Sequence, residues 1–327
     1  MRQTTLLAAV LYAGSSLFAA DPQLLSMAPS DANTFAGINV TQAKTSQFGQ
    51  FLLNNMPQNA DFQAFVSKTG FDPRTDISEV LIAATLAAPP ATPPAADSQD
   101  ATGVHQALSS GLFLAKGTFN IQKILATATT DDKVQVSTYS GVQLLTIDGH
   151  VALGLIDAAT AAVGDVASVK AALDRRNGSG SAIDPVIMAR INQLSTTEDA
   201  WSVSSKGLMA LAGGMGSGAA GSAILQSIQQ TSGGIKFGTN IVVTGQAIAA
   251  TAQDAASLSD VLKMLSQMVT MHSGPSGAPS ELTSVLKSLT ISTDGSTVNL
   301  SLTLPEDQLE ALIKLAHGGS IAAGTTL

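Results

Sequence analysis

The four histidines are the first residues of this chain whose type suggests chemistry. They are His105, His150, His272 and His317. No two of them are four residues apart and no H-E-x-x-H occurs, so the spacing that lets a helix present two zinc ligands is missing. Cysteine, the other common zinc ligand, is absent. We therefore expect surface histidines, and we predict no metal site and no bound cofactor.

A glycine-rich run, Gly216-Ser217-Gly218-Ala219-Ala220-Gly221, matches the G-x-G-x-x-G pattern of dinucleotide-binding turns. That fingerprint also needs an acidic residue about 20 positions further on, which binds the ribose. Residues 222–253 contain neither Asp nor Glu. We interpret the run as part of a flexible connector over residues 207–221.

Two sequence motifs of hydrolases bear on this chain. Ser284 and Lys287 match S-x-x-K, but they fall in an ordinary amphipathic helix, and the S-D-N and K-T-G partners of that motif are missing. No G-x-S-x-G elbow occurs either. A site assembled from dispersed Ser, His and Asp residues stays open as an alternative, because triad members can be far apart in sequence.

Asp72, Arg74, Asp76 and Glu79 form the densest charged cluster. Its carboxylates could act as an acid–base pair. The favoured interpretation is turn chemistry, in which Asp72 caps the turn at Pro73 and the arginine pairs with nearby carboxylates.

Methionines near the C-terminal end of a long helical pattern have two interpretations as well. Met264, Met268 and Met271 could form an adaptable binding surface. Because Met268 also belongs to the apolar stripe of that helix, we expect these methionines to fill the core.

The first twenty residues have the layout of a secretory signal peptide. A positive start at Arg2 is followed by an uncharged apolar run to Phe18, and then by Ala19 and Ala20 before Asp21. The run is shorter than the about 20 apolar residues that span a bilayer. We expect cleavage after Ala19 or Ala20 and a periplasmic or extracellular location, with an uncleaved anchor as the alternative.

Composition limits the class of protein further. The chain has 327 residues, is 45% hydrophobic and 12% charged, and carries a net charge of −8. An acidic chain without a Lys/Arg cluster repels a phosphate backbone, so we expect no nucleic-acid partner. No segment after the leader is long and apolar enough to predict an integral membrane span. Without cysteine, stability must come from packing rather than from disulfides.

Alternating and helical periodicities recur along the chain. Strands are predicted at 35–40, 79–85, 111–119, 133–139, 142–147, 151–156, 201–205, 234–239, 241–251, 289–293 and 297–304. Helices are predicted near 48–56, 62–69, 120–129, 166–176, 185–195, 221–231, 257–270 and 281–288 and from Pro305 onward. The proline-rich residues 87–104 predict a disordered insert.

The stretch from Leu24 to Ala32, the strand at 35–40, the run 46–51 and the run from Thr69 to Ile77 resemble a group of secreted bacterial proteins, notably acidobacterial ones, and also the DUF3352 type. The specific likeness covers about the first 85 residues. The resemblance implies an exported protein, and it implies no activity for particular residues.

These observations predict an α+β fold of antiparallel sheets with helices packed on one face, arranged as two structurally similar halves. The predicted organisation is a signal peptide at 1–20, an N-terminal half at 21–206 with the insert at 87–104, a connector at 207–221 and a C-terminal half at 222–327. We expect an exported, non-enzymatic binding or structural protein whose partner is a protein or another envelope component. The alternative is a secreted hydrolase.

Overall fold

The structure is a computed structural model, and it describes residues 20–55, 60–85, 111–178, 182–205, 226–271, 285 and 287–310. The predicted signal peptide before Ala20, the insert at 87–104, the connector at 207–221 and most of the helix at 281–288 lie outside the described residues. So does the continuation of the last helix beyond residue 310.

The strands form one twelve-stranded sheet in which every neighbouring pair is antiparallel. Their order across the sheet is β11-β12-β10-β9-β8-β1-β2-β3-β7-β6-β5-β4. The strands are β1 Thr34–Asn39, β2 Ile77–Ala84, β3 Leu112–Gly117, β4 Val134–Tyr139, β5 Val142–Ile147, β6 Val151–Asp157, β7 Thr160–Asp165, β8 Ala200–Ser204, β9 Ile228–Lys236, β10 Asn240–Ala249, β11 Thr290–Asp294 and β12 Thr297–Pro305.

The described helices are α1 Pro22–Met27, α2 Val40–Ala43, α3 Gln47–Asn54, α4 Ala60–Thr69, α5 Pro73–Asp76, α6 Ile121–Ala128, α7 Val166–Asn177, α8 Pro185–Thr197 and α9 Ala252–Met271. Three of them begin with the same device, an aspartate cap followed by proline. Asp21, Asp72 and Asp184 each accept hydrogen bonds from backbone N–H groups of the first turn. Proline suits the next position because its missing N–H would have no partner inside the helix.

The main core lies on one face of the sheet. There α1, α7 and α8 pack on strands β8, β1, β2, β3, β7, β6 and β5 through fully buried residues such as Leu24, Leu173, Ile191, Leu81 and Leu114. The smaller cores lie on the other face, because adjacent side chains of a strand point to opposite sides. Leu144 belongs to the main core, whereas its neighbour Leu145 packs with α6.

On that second face, α2 and α3 pack near Ile241, and α9 packs on Ala247 and Val298. The α+β class predicted from sequence is therefore confirmed. The helices lie on both faces of the sheet, however, where the sequence pattern led us to expect one.

A single sheet runs through both predicted halves, because β8 pairs with β9 in register from Ala200 opposite Ile235 to Ser204 opposite Thr231. The structural similarity of the two halves stays a prediction. Among the described residues, no helix has the length and apolar character needed to cross a membrane.

Two local predictions need correction. Residues 228–231 belong to β9 and not to a helix, because backbone pairing with β10, joined at Thr231 by pairing with β8, outweighs the local pattern. Strand β7 was not predicted. It consists mainly of small residues, Thr-Ala-Ala-Val-Gly-Asp, and lies between β3 and β6.

Candidate functional site

Three carboxyl groups that are far apart in sequence meet at one end of the central strands. Glu79 lies in β2, and Glu198 and Asp199 form the junction between α8 and β8. Together with Ala20 and Trp201 they line a small cavity of about 20 Å³, the acidic pocket. A cavity of this size has room for about one water molecule.

Asp199 is the most buried of the three carboxylates, at 2% exposure. One carboxylate oxygen accepts a hydrogen bond from Lys236 Nζ at 2.7 Å, and the other accepts from the backbone N–H of Phe237 at 2.7 Å. The backbone carbonyl of Asp199 also accepts from the N–H of Asn39 at 2.8 Å. Asp199 therefore ties β8 to both β1 and β9, and its role is structural.

Glu198 is held across the surface of β9. A Cβ atom on Gly234 would lie 2.3 Å from Glu198 Cγ, so glycine is required where this side chain crosses the strand. Thr244 donates to Oε1 at 3.4 Å, while Oε2 is buried and has no hydrogen-bond partner. Burial raises the pKa of the Glu198 carboxyl, and the Thr244 hydrogen bond and the charge of Lys236 partly oppose this.

Glu79 faces the start of the described chain. Its Oε1 accepts a hydrogen bond from the backbone N–H of Asp21 at 2.9 Å. Lys116 Nζ lies 3.4 Å from a carboxylate oxygen of Asp21 and donates to Gln23 Oε1 at 2.5 Å. Burial raises the pKa of the Glu79 carboxyl despite the Asp21 N–H and the nearby Lys116.

The pocket can bind a small positively charged or donor group. Two carboxyl groups, those of Glu79 and Glu198, make no ion pair within the described part of the chain. Ser195 also lines the pocket, and its hydroxyl donates to the backbone carbonyl of Asn192 at 3.4 Å. A nucleophilic serine needs an adjacent base, and none of the described residues lining this pocket is a histidine.

The charged cluster singled out by sequence divides into two parts. Asp72 caps α5 and accepts from the Arg74 backbone N–H at 3.0 Å, and the Arg74 guanidinium donates to the same carboxylate at 2.6 Å. Asp76 accepts from the Asp72 N–H at 2.7 Å. The turn interpretation is confirmed for these residues. Glu79 instead belongs to the acidic pocket.

The remaining candidates do not come together. His150 is exposed in the turn between β5 and β6. His105, His272, His317, Ser284 and the glycine run 216–221 lie outside the described residues. Within the described ranges, no group of three His, Asp or Glu side chains is arranged to hold a metal ion.

The prediction for the methionines of α9 requires a correction at Met264 and Met268, whereas the side chain of Met271 lies outside the described residues. Met264, Leu265 and Met268 are 53%, 37% and 48% exposed, so they do not fill the core. Leu258 and Leu262, nearer the start of the same helix, pack against Ala247 and Val298. Side chains at 261, 264, 265 and 268 lie within about one third of the helix circumference, at 100° per residue. We call the three exposed residues 264, 265 and 268 the α9 ridge.

No protein-family model matches the chain, and no curated protein matches its sequence. The solved structures that share its fold include crystal forms III, IV and I of TP0453. Form III is 11% identical with a TM-score of 0.50, and the match covers 88% of this chain and 96% of that one. Forms IV and I are each 10% identical at the same TM-score, with coverage of 88% and 90% of this chain and 95% and 97% of theirs. Likeness at this identity shows the fold alone, and the fold agrees with the α+β class.

Proposed function

We propose that this protein is an exported, non-enzymatic binding or structural protein of the bacterial envelope that contacts a partner through the α9 ridge. The observation that carries the proposal is the exposure of Met264, Leu265 and Met268 on one side of a 20-residue helix. Contiguous exposed apolar side chains are typical of interaction sites, and methionine adapts its shape to a partner.

Export rests on the predicted leader and on the resemblance of the first 85 residues to secreted bacterial proteins. The acidic pocket argues for a structural rather than a catalytic centre. Its cavity of about 20 Å³ is too small for a substrate, and Asp199 there is fully engaged by Lys236 and the Phe237 N–H. The hydrolase alternative has no observation in its favour among the described residues.

The experiment places a photo-crosslinking amino acid at position 264 or 268 of the protein produced in its own bacterium. Position 253 is the control, because Gln253 is exposed at the other end of the same helix. We expect a discrete crosslinked product in the envelope fraction from 264 and 268 and none from 253. Equal products from all three positions, or none from any of them, would argue against the proposal.

A second measurement separates binding from folding. Met264→Glu combined with Met268→Glu places two charges on the ridge, whereas Gln253→Glu adds a charge in the first turn of α9, where acids are favourable. With the photo-crosslinking amino acid at position 265, we expect the double variant to give about tenfold less crosslinked product than the protein without the two substitutions. The Gln253→Glu control should keep both the product and the wild-type circular dichroism.

A further inference from the structure

Ala20 is a buried residue of the acidic pocket. It is 4% exposed, belongs to the main core with Leu24 and Phe35, and lines the cavity next to Glu79 and Glu198. The next residue, Asp21, donates its backbone N–H to Glu79 Oε1 at 2.9 Å. Cleavage of the predicted leader occurs at the bond before Ala20 or at the bond after it. The bond cut during export therefore adjoins a cluster of carboxylates.

Charged groups from each element around the acidic pocket surround Ala20. They are Asp21 of the α1 cap, Glu79 of β2, Lys116 of β3, Arg190 of α8, Glu198 and Asp199 of the α8–β8 junction, and Lys236 of β9. Lys116 pairs with Asp21, and Lys236 pairs with Asp199. Arg190 Nε donates to Ser232 Oγ at 2.8 Å, and its Nη1 donates to Gln193 at 2.8 Å.

The carboxyl groups of Glu79 and Glu198 therefore form no ion pair within the described residues. Glu198 Oε2 is buried without any hydrogen-bond donor. Burying an unpaired carboxylate is costly, and a nearby ammonium group would offset that cost. An intact peptide bond at Ala20 supplies a single uncharged N–H, whereas a free amino terminus supplies three donors and a positive charge.

We propose that the leader is removed after Ala19 and that the α-ammonium group of Ala20 is the cationic ligand of the acidic pocket, bound between Glu79 and Glu198. In the cleavage step, a signal peptidase adds water across the Ala19–Ala20 amide bond. The leader keeps the new carboxylate on Ala19, and the released amine of Ala20 takes up a proton. The processed chain then carries the charge that its pocket lacks.

Packing selects this bond over the next one. Ala20 is part of the main core, so cutting after it would remove a buried side chain and enlarge the cavity beside Trp201. Cutting after Ala19 also places Leu17, and not the bulkier Phe18, at the third position before the cleaved bond. A cavity of about 20 Å³ suits one ammonium group. This inference rests on the export that the proposed function includes, and it does not depend on the α9 ridge.

The experiment uses the mature protein recovered from the envelope or medium. Intact mass and N-terminal sequencing should show Ala20 as the first residue. The pKa of its α-amino group is then measured by trace acetylation over a pH series, with mass spectrometry of the N-terminal peptide. We expect a pKa about one unit above the ordinary value near 8, because adjacent carboxylates favour the charged form.

Two variants and one control complete the test. Glu79→Gln and Glu198→Gln should each lower that pKa, whereas Asp132→Asn, which changes an exposed carboxylate before β4, should leave it unchanged. If one variant fails to fold, the other and the wild-type value still decide the outcome. A mature chain that begins elsewhere, or an α-amino pKa at its ordinary value in the wild type, would overturn the proposal.

Discussion

Gly37 and Trp201 lie directly opposite each other on the paired strands β1 and β8. A Cβ atom on Gly37 would be 2.5 Å from Trp201 Cε2 and Cζ2. The indole therefore occupies the space where a side chain at position 37 would lie, and Trp201 also lines the acidic pocket. The strand needs glycine at this position because the tryptophan ring occupies the space of a side chain.

Gly37→Ala should destabilise the protein. Trp201 is 7% exposed and has little room to move away from the added methyl group, so the change overpacks the core. We expect a loss of about 1–3 kcal/mol in the free energy of unfolding. Chemical denaturation followed by tryptophan fluorescence measures this loss and reports on the single tryptophan at the same time.

Gly245→Ala is the matched control for that substitution. Gly245 is also a strand glycine, in β10, but a Cβ atom there would meet Leu300 at 3.4 Å, an ordinary contact. We expect no loss, or a gain of about 0.4–1 kcal/mol from reduced freedom of the unfolded chain. Equal losses in both variants would show that strand glycines in general, and not the tryptophan contact, set the cost.

Asp199 should stabilise the sheet mainly through its bond to the backbone. Asp199→Ala leaves the buried N–H of Phe237 without an acceptor, and we expect a loss of about 2–4 kcal/mol. Asp199→Asn keeps one oxygen for that N–H and should lose about half as much. Urea denaturation of both variants measures the difference.

The backbone hydrogen bond should matter more than the ion pair because Lys236 is 49% exposed, so solvent screens its attraction to Asp199. Such a pair contributes about 1 kcal/mol or less. Lys236→Met should accordingly cost less than Asp199→Ala. Equal losses for the Ala and Asn variants at 199 would instead show that the ion pair dominates.

The two sides of α9 should respond differently to substitution. Leu258→Ala removes a side chain that is 6% exposed and packs against Ala247 and Val298, and should cost about 2–5 kcal/mol. Met264→Ala removes one that is 53% exposed and should change stability by less than about 0.5 kcal/mol. Thermal unfolding of the two variants measures the contrast. A large loss at 264 would contradict the assignment of the ridge to the surface.

Much of this fold follows from local sequence signals. The turns Ser140-Gly141 and Asp148-Gly149 predict hairpins, and all four residues adopt the positive φ angles that such two-residue turns require. The strict alternation from Val298 to Leu304 likewise predicts β12, which is confirmed. In each case a few adjacent residues are enough to predict the turn or strand, and the identity of the pairing strand is not needed.

The features that sequence did not reveal depend on distant partners. The polar start of β9 resembles a helix locally and becomes a strand because it pairs with β10, and from Thr231 onward also with β8. Glu79 and Glu198 are 119 positions apart, and only the pairing of β1 with both β2 and β8 brings them together. No spacing rule connects such residues. One local signal does point to the acidic pocket. The adjacent acids Glu198 and Asp199 follow a predicted helix and come just before the predicted strand that contains the single tryptophan.

The stability of the protein should depend on pH through Glu198. Burial raises the pKa of its carboxyl in the folded state above the ordinary value of 4.5. Between those two pKa values the folded state therefore binds more protons than the unfolded state. The free energy of unfolding then falls as pH rises through this interval, and the contribution of the protonated carboxyl is lost above the folded-state pKa.

Glu198→Gln removes this titration. We expect the variant to be more stable than the wild type at pH 7 when both are produced with Ala20 still joined to a preceding residue, because the wild type then buries a charged Oε2 without a donor. The advantage should shrink as the pH falls and vanish below the ordinary pKa of glutamate. Urea denaturation of both proteins at intervals from pH 4 to pH 8 measures the two slopes, with Asp132→Asn as a control that should follow the wild type. Parallel slopes for the wild type and Glu198→Gln would mean that Glu198 titrates alike in the folded and unfolded states.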